Sequence, residues 1–126
     1  ENLTSDMQSM YKSVMKRLYY DLEYEVTEET FNGDKATITV NVTTYDYNNS
    51  KKKALQYKNS HSNEFLNDDK TFNDTKYKYL QLEYMKSEDK RVSYTILFNV
   101  NFDGEKWVLE NPDYTVIQKI HGIYEE

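Results

Sequence analysis

Met7, Met10, Tyr11, Val14 and Leu18 recur at spacings of three, one, three and four residues, which places them along one face of a helix. Thr4 or Ser5 can cap it, Ser5 with Gln8 in the capping-box position, and the spacing predicts a helix running to about Tyr19. Lys16 and Arg17 suit its C-terminal dipole, and a stripe this short and modestly charged reads as core rather than as a membrane-surface face. From Tyr20 the period becomes two. Tyr20, Leu22, Tyr24 and Val26 alternate with Asp21, Glu23, Glu25 and Thr27, predicting a half-buried strand with one wet, acidic face. Asn32-Gly33 tolerates positive φ, and Ala36, Ile38, Val40 and Val42 then alternate with Thr37, Thr39, Asn41 and Thr43, a hairpin whose second strand continues toward Tyr45 or Tyr47.

The polar stretch 46–53 reads as a turn or helix start, and Ala54, Leu55, Tyr57, Phe65 and Leu66 give a weak helical pattern. After a polar interruption at 67–73, Tyr77, Leu80, Tyr84 and Met85 form a helical stripe, with Tyr79 and Leu82 off its centre. A charged break at 87–90 precedes a long strand through Val92, Tyr94, Ile96, Phe98, Val100 and Phe102; Asp103-Gly104 then turns the chain into a strand holding Trp107 and Leu109. Asn111 as a cap and Pro112 at the first position predict a last helix through Tyr114, Ile117 and Ile120, closed by Lys119, His121 and Gly122.

These elements predict a single α+β domain over 1–126, with three or four antiparallel strands packed against two to four helices. The expected core is Met10, Val14, Leu18, Leu22, Ile38, Val40, Leu80, Ile96, Phe98, Trp107 and Ile117. Burial of Trp107 would make Trp107→Ala cost on the order of 3–5 kcal/mol.

Composition narrows the chemistry. The 126 residues are 37% hydrophobic and 30% charged, with only three glycines and one proline, which fits a globular chain rather than a disordered one. A net charge of −6 argues against a nucleic-acid partner, and no apolar run approaches the roughly 18 residues of a membrane span. With no cysteine, disulfides, thiolate nucleophiles and cysteine-ligated metals drop out. Tyrosine is abundant at 13, so the bulky part of the core is expected to be built largely from phenol rings, each buried hydroxyl needing a partner.

No catalytic, cofactor-binding or metal-ligating residue emerges. His61 and His121 fall in different elements without ligand-spaced carboxylates, and His121 suits a cationic role at a helix end. No nucleophile elbow is present. The pairs Glu28-Glu29, Asp68-Asp69, Glu88-Asp89 and Glu125-Glu126 all read as solvated, unlike the poised pair of a glycosidase. Gly33, Gly104 and Gly122 are accounted for by turns and a helix end, so no phosphate loop or dinucleotide fingerprint remains. Asp46, Asp68 and Asp69 lack the spacing of a calcium loop, Lys51, Lys52 and Lys53 read as a soluble turn, and the sequons at Asn2, Asn41, Asn48 and Asn73 as products of an Asn-rich composition.

The order of elements resembles the nuclear-transport-factor-2-like, cystatin-like cone, in which a curved sheet wraps around a long helix. The run from Tyr24 through Phe31-Asn32-Gly33-Asp34-Lys35-Ala36 to Val40, and the tail Asp103-Gly104-Glu105-Lys106-Trp107-Val108-Leu109 followed by Asn111-Pro112-Asp113 and Gly122, resemble bacterial envelope lipoprotein domains of that type. The resemblance implies the cone fold, export, anchoring through a lipidated segment ahead of Glu1, and an origin in a low-GC Gram-positive or gut bacterium; it implies no reaction. Members of the family begin with further helical sequence, so this chain is shortened at that end or its first helix has taken over that role.

In an open cone, Tyr24, Tyr94, Tyr77 and Tyr84 would line a pocket for a small amphipathic molecule or glycan; in a closed one they would be core. The expectation is therefore a non-enzymatic binding or structural module of the envelope, with a small molecule, a glycan or an envelope protein as partner and no cofactor. A small-molecule-binding or acid–base enzyme using the cone interior and a protein-interaction module are the alternatives, catalysis marked by a buried carboxyl in an open pocket, interaction by a contiguous exposed apolar patch.

Overall fold

The structure, a computed structural model, describes residues 4–125 and divides into two compact units. The sequon at Asn2 and Glu126 lie outside the described residues. One unit comprises residues 4–20 and 46–90 and is helical; the other comprises 21–45 and 91–125 and is built on a sheet.

In the helical unit, α1 (Ser5–Asp21) is capped by Thr4, whose Oγ1 accepts from the Met7 amide at 3.2 Å. It buries Met7, Val14 and Leu18, while Met10 is half-buried. The helix takes in Tyr20 and Asp21, where the sequence pattern suggested a strand. Tyr20 is exposed and gains no burial from a strand register, whereas extending a nucleated helix costs little. Asp46 caps α2 (Tyr47–Ser60) by accepting from the Asn49 amide at 3.2 Å, and Asn73 caps α3 (Asp74–Lys86) by accepting from the Lys76 amide at 3.0 Å. Between them Ser62–Phe65 makes a 3-10 turn that buries Phe65 edge-on to Tyr57 and Tyr77. The buried residues of α2 are Tyr47, Ser50 and Ala54, and those of α3 are Leu82 and Met85, leaving Leu80 and Tyr84 half-buried. The Tyr47 hydroxyl donates to the Val14 carbonyl at 3.3 Å, so this buried phenol is satisfied by α1.

In the other unit, β1 (Glu23–Asn32), β2 (Lys35–Tyr45), β3 (Arg91–Phe102) and β4 (Trp107–Leu109) form one antiparallel sheet in chain order. Gly33 and Gly104 take φ of +66° and +104° in the two hairpin turns, which explains glycine at both. Register puts Tyr24, Val42 and Tyr94 in one row and Val26, Val40 and Ile96 in another row of the same face. Helix α4 (Tyr114–Ile120) covers this apolar face: Val116 and Ile120 join Leu22, Ile38, Tyr94 and Phe98 around buried Val40, Val42 and Ile96. Buried Thr44 points the same way and donates to the Ile120 carbonyl at 3.0 Å.

Several expectations are corrected here. Strand β1 is exposed along its whole length rather than half-buried, because it is the outer strand and α4 packs on β2 and β3. Trp107 is 44% exposed and lies outside the core: β4 is three residues long at the sheet's other edge, where the indole stands edge-on to Phe31 and tilted against Phe102. Ile117 is 40% exposed, since a helix this short turns Val116 and Ile120 inward. The cap of α4 is Asp113, which accepts from the Val116 amide at 3.0 Å; Asn111 and Pro112 precede it. Among the described residues the buried tyrosines are Tyr45 and Tyr47 alone, so the core is chiefly aliphatic rather than phenolic. No helix among the described residues is long and apolar enough to cross a membrane.

Candidate functional site

Strand alternation gives the sheet a second, polar face. Rows Glu23–Thr43–Ser93 and Glu25–Asn41–Thr95 flank the row of Tyr24 and therefore face away from α4. Together with the intervening Tyr24 and Tyr94 they border an open depression of about 580 Å³. Within it the Thr43 and Ser93 hydroxyls share a hydrogen bond at 2.8 Å, and the Thr95 hydroxyl donates to Asn41 Oδ1 at 2.9 Å. Each such pair keeps further donor or acceptor capacity directed to solvent, and Glu23 and Glu25 add carboxylate acceptors. The result is a polar surface able to hydrogen-bond a ligand at several points.

Arg91 fixes one end of the depression. Its guanidinium lies 4.8 Å over the ring of buried Tyr45, while Nη2 donates to the carbonyls of Asp21 at 2.7 Å and Thr43 at 3.2 Å. The Tyr45 hydroxyl donates to the Asp21 carboxylate, and Glu23 Oε2 stands 3.7 Å from Arg91 Nη2. Arg91 is thus committed to backbone and ring, and holds the strand ends that carry Glu23 and Ser93.

Of the four tyrosines expected to form a pocket, Tyr24 and Tyr94 lie in the strand row between these polar rows, but alternation turns their side chains to the α4 face, so their rings do not line the depression; Tyr24 is 72% exposed. The Tyr94 hydroxyl is engaged, donating to the Tyr124 carbonyl at 3.1 Å, with the Tyr124 ring edge-on at 5.7 Å. Tyr77 and Tyr84 belong to α3 in the helical unit. There Tyr77 meets Phe65 and Phe72 edge-on with Lys58 Nζ 5.3 Å over its ring, and the Tyr84 carbonyl accepts from Ser50 and Ser87.

The acidic pairs read as solvated include one buried carboxylate. Glu88 is 3% exposed: Oε1 accepts from Ser50 Oγ at 2.6 Å, Oε2 from the Lys90 amide at 3.0 Å, and Asn49 Nδ2 lies 3.1 Å from both. Burial pushes its pKa up, but the bonds from Ser50, Lys90 and Asn49 and the charge of Lys53 outweigh that and hold it below the usual glutamate value. With its oxygens so occupied it anchors the chain after α3 to the first turn of α2. No local spacing could have revealed it, because Ser50 and Glu88 meet only through the packing of α2 and α3.

His121 caps α4 through its backbone, and burial pushes its imidazole pKa down, away from the cationic form expected at this helix end. Lys119 is the cation in the last turn of α4, and its Nζ donates to the Thr95 carbonyl at 2.9 Å. His61 ends α2 with its ring stacked on Tyr57 at 4.1 Å. Among the described residues no three His, Asp or Glu side chains gather as a metal site would require. Compared with protein-family models, with curated proteins and with solved structures, the chain matches none.

Proposed function

We propose that the chain is a non-enzymatic binding module of a bacterial cell-envelope lipoprotein, of the cystatin-like, nuclear-transport-factor-2-like cone type, whose polar sheet face takes a polyhydroxylated ligand such as a glycan. The observation that carries this reading is the depression of about 580 Å³, where Asn41, Thr43, Ser93 and Thr95 stand in two rows beside Glu23 and Glu25. Sugar hydroxyls both donate and accept, and hydroxyl, amide and carboxylate groups in rows match that pattern. The envelope setting is supported by the resemblance of the Gly33-Asp34-Lys35-Ala36 and Asp103–Leu109 blocks, and the antiparallel sheet with a helix on one face suits the cone type.

An acid–base enzyme is less favoured, because the Glu23 side chain is 78% exposed and buried Glu88 is consumed by hydrogen bonds. Titration of ¹⁵N-labelled protein with neutral and N-acetylated oligosaccharides, up to about 10 mM, tests the ligand class. The expected result is saturable movement of the Asn41, Thr43, Ser93 and Thr95 amides, weakened in Thr95→Ala. Unmoved amides at the highest concentration would remove the glycan reading. Metabolic labelling of the full-length gene product with a fatty-acid analogue tests the anchoring separately; an unlabelled product in the soluble fraction would refute it.

A further inference from the structure

Strand β1 combines three properties. It is the outer strand, hydrogen-bonded to β2 on one side, and among the described residues no backbone group pairs with its other side. All ten of its residues are exposed, including Tyr24, Val26 and Phe31. It carries Glu23, Glu25, Glu28 and Glu29 and no lysine or arginine.

An open edge with exposed apolar side chains is a template for one more strand, which proteins ordinarily blunt with charge or irregularity. Here the blunting is one-sided. A second copy pairing through β1 would bring four glutamates against four, and like charges on adjacent strands oppose pairing. The sheet's other edge gives a second copy little to pair with, since Lys119 and the Glu110 amide occupy the Thr95 and Asn99 carbonyls of β3 and β4 has three residues. A strand of opposite charge meets no such barrier. Around the bulge between Val26 and Glu28, Glu23 and Glu25 face one side of the sheet while Tyr24 and Val26 face the other.

We propose that the outer edge of β1 accepts an extended basic segment of another polypeptide as a fifth strand, its cations against Glu23, Glu25 and Glu28 and its apolar side chains beside Tyr24 and Val26. The backbone supplies the hydrogen bonds and the alternation supplies the selectivity. This goes beyond the ligand reading, because it uses the strand edge rather than the polar face.

The probe is a synthetic decapeptide of alternating lysine and valine, measured by fluorescence anisotropy and by amide exchange on the intact protein. Its controls are alternating glutamate and valine, and decalysine. The expected result is saturable binding of the Lys-Val peptide alone, new protection confined to outward-facing β1 amides, and at least a tenfold loss of affinity in the double variant Glu25→Lys, Glu28→Lys. That variant leaves Glu23 beside Arg91 and changes only exposed side chains. Decalysine binding equally well, or binding without β1 protection, would reduce the surface to a diffuse acidic patch and overturn the proposal. A concentration-dependent dimer with β1 protected and no peptide added would overturn it in favour of a second copy. Oligosaccharide binding leaves the outward-facing β1 amides unprotected, so the failure of either reading is visible without the other.

Discussion

The helical unit and the sheet unit handle polar groups in opposite ways. In the helical unit they are drawn in and used up: Asp46 and Asn73 close helix ends, Arg17 donates to the carbonyls of Lys86 and Glu88 at 3.1 and 2.7 Å, and the Glu88 carboxylate is saturated below the surface. On the outer face of the sheet, alternation sends them outward, so Asn41, Thr43, Ser93 and Thr95 remain half-committed to each other and open to solvent. A saturated polar cluster fixes one arrangement of the chain, whereas an unsaturated row can still exchange water for a ligand. That contrast is why the binding surfaces proposed here both lie on the sheet.

The comparison is tested most severely in the apolar layer beneath α4. Ile96 is 1% exposed at the centre of the cluster with Val40 and Val42, and Ile96→Ala should cost about 2–5 kcal/mol in denaturant unfolding. A loss under about 1 kcal/mol would mean that α4 does not seal this face, and the two faces of the sheet would no longer differ in kind.

Glu88 sharpens the other side of the contrast. Glu88→Gln keeps the shape but turns an amide NH₂ toward the donors of Asn49 and of Ser50 or Lys90, at a cost of about 2 kcal/mol. The pH dependence has a definite sign. Because the folded carboxyl sits below its ordinary value of 4.5, its contribution is complete above that value and is lost as pH falls through the folded pKa. Unfolding free energies measured from pH 7 downward should show a declining acid limb that is shallower in Glu88→Gln. Parallel limbs in the two proteins would show that the network does not select the ionised form.

What could be read from the sequence divides along the same line. The period-two runs of β2 and β3, with turns at Gly33 and Gly104, placed the sheet, because alternation and positive-φ residues are local signals. Val14, Leu18, Val40 and Ile96 were legible as core for the same reason. Glu88 was not, since its burial depends on Asn49 and Ser50 from a distant helix, and neither was the exposure of β1, whose alternating pattern looks the same whether or not a neighbouring layer covers it. Of the candidate site, the sequence singled out Tyr24 and Tyr94 for their rings, but alternation turns those rings to the α4 face, and the depression on the other face is bordered by hydroxyl, amide and carboxylate side chains. Threonine, serine and asparagine on a strand give no sign from composition of whether they will face a ligand or bulk water.

Trp107 is the smallest and most discriminating case. A fully buried indole would cost several kcal/mol on truncation, but at 44% exposure much of its apolar area already meets water. Its aromatic partners are Phe31, edge-on at 5.6 Å, and the tilted ring of Phe102 at 5.4 Å, contacts of the kind worth about 0.5–1.5 kcal/mol. Trp107→Ala should therefore destabilise by about 1 kcal/mol in urea unfolding, well short of Ile96→Ala. The three rings draw the tip of β1 toward β4 across the end of the sheet, so the same variant should raise amide exchange at Phe31 and Asn32 while leaving Tyr24 unchanged. A cost like that of Ile96→Ala would mean that Trp107 is covered in solution, and the open end of the sheet would have to be counted with its sealed face.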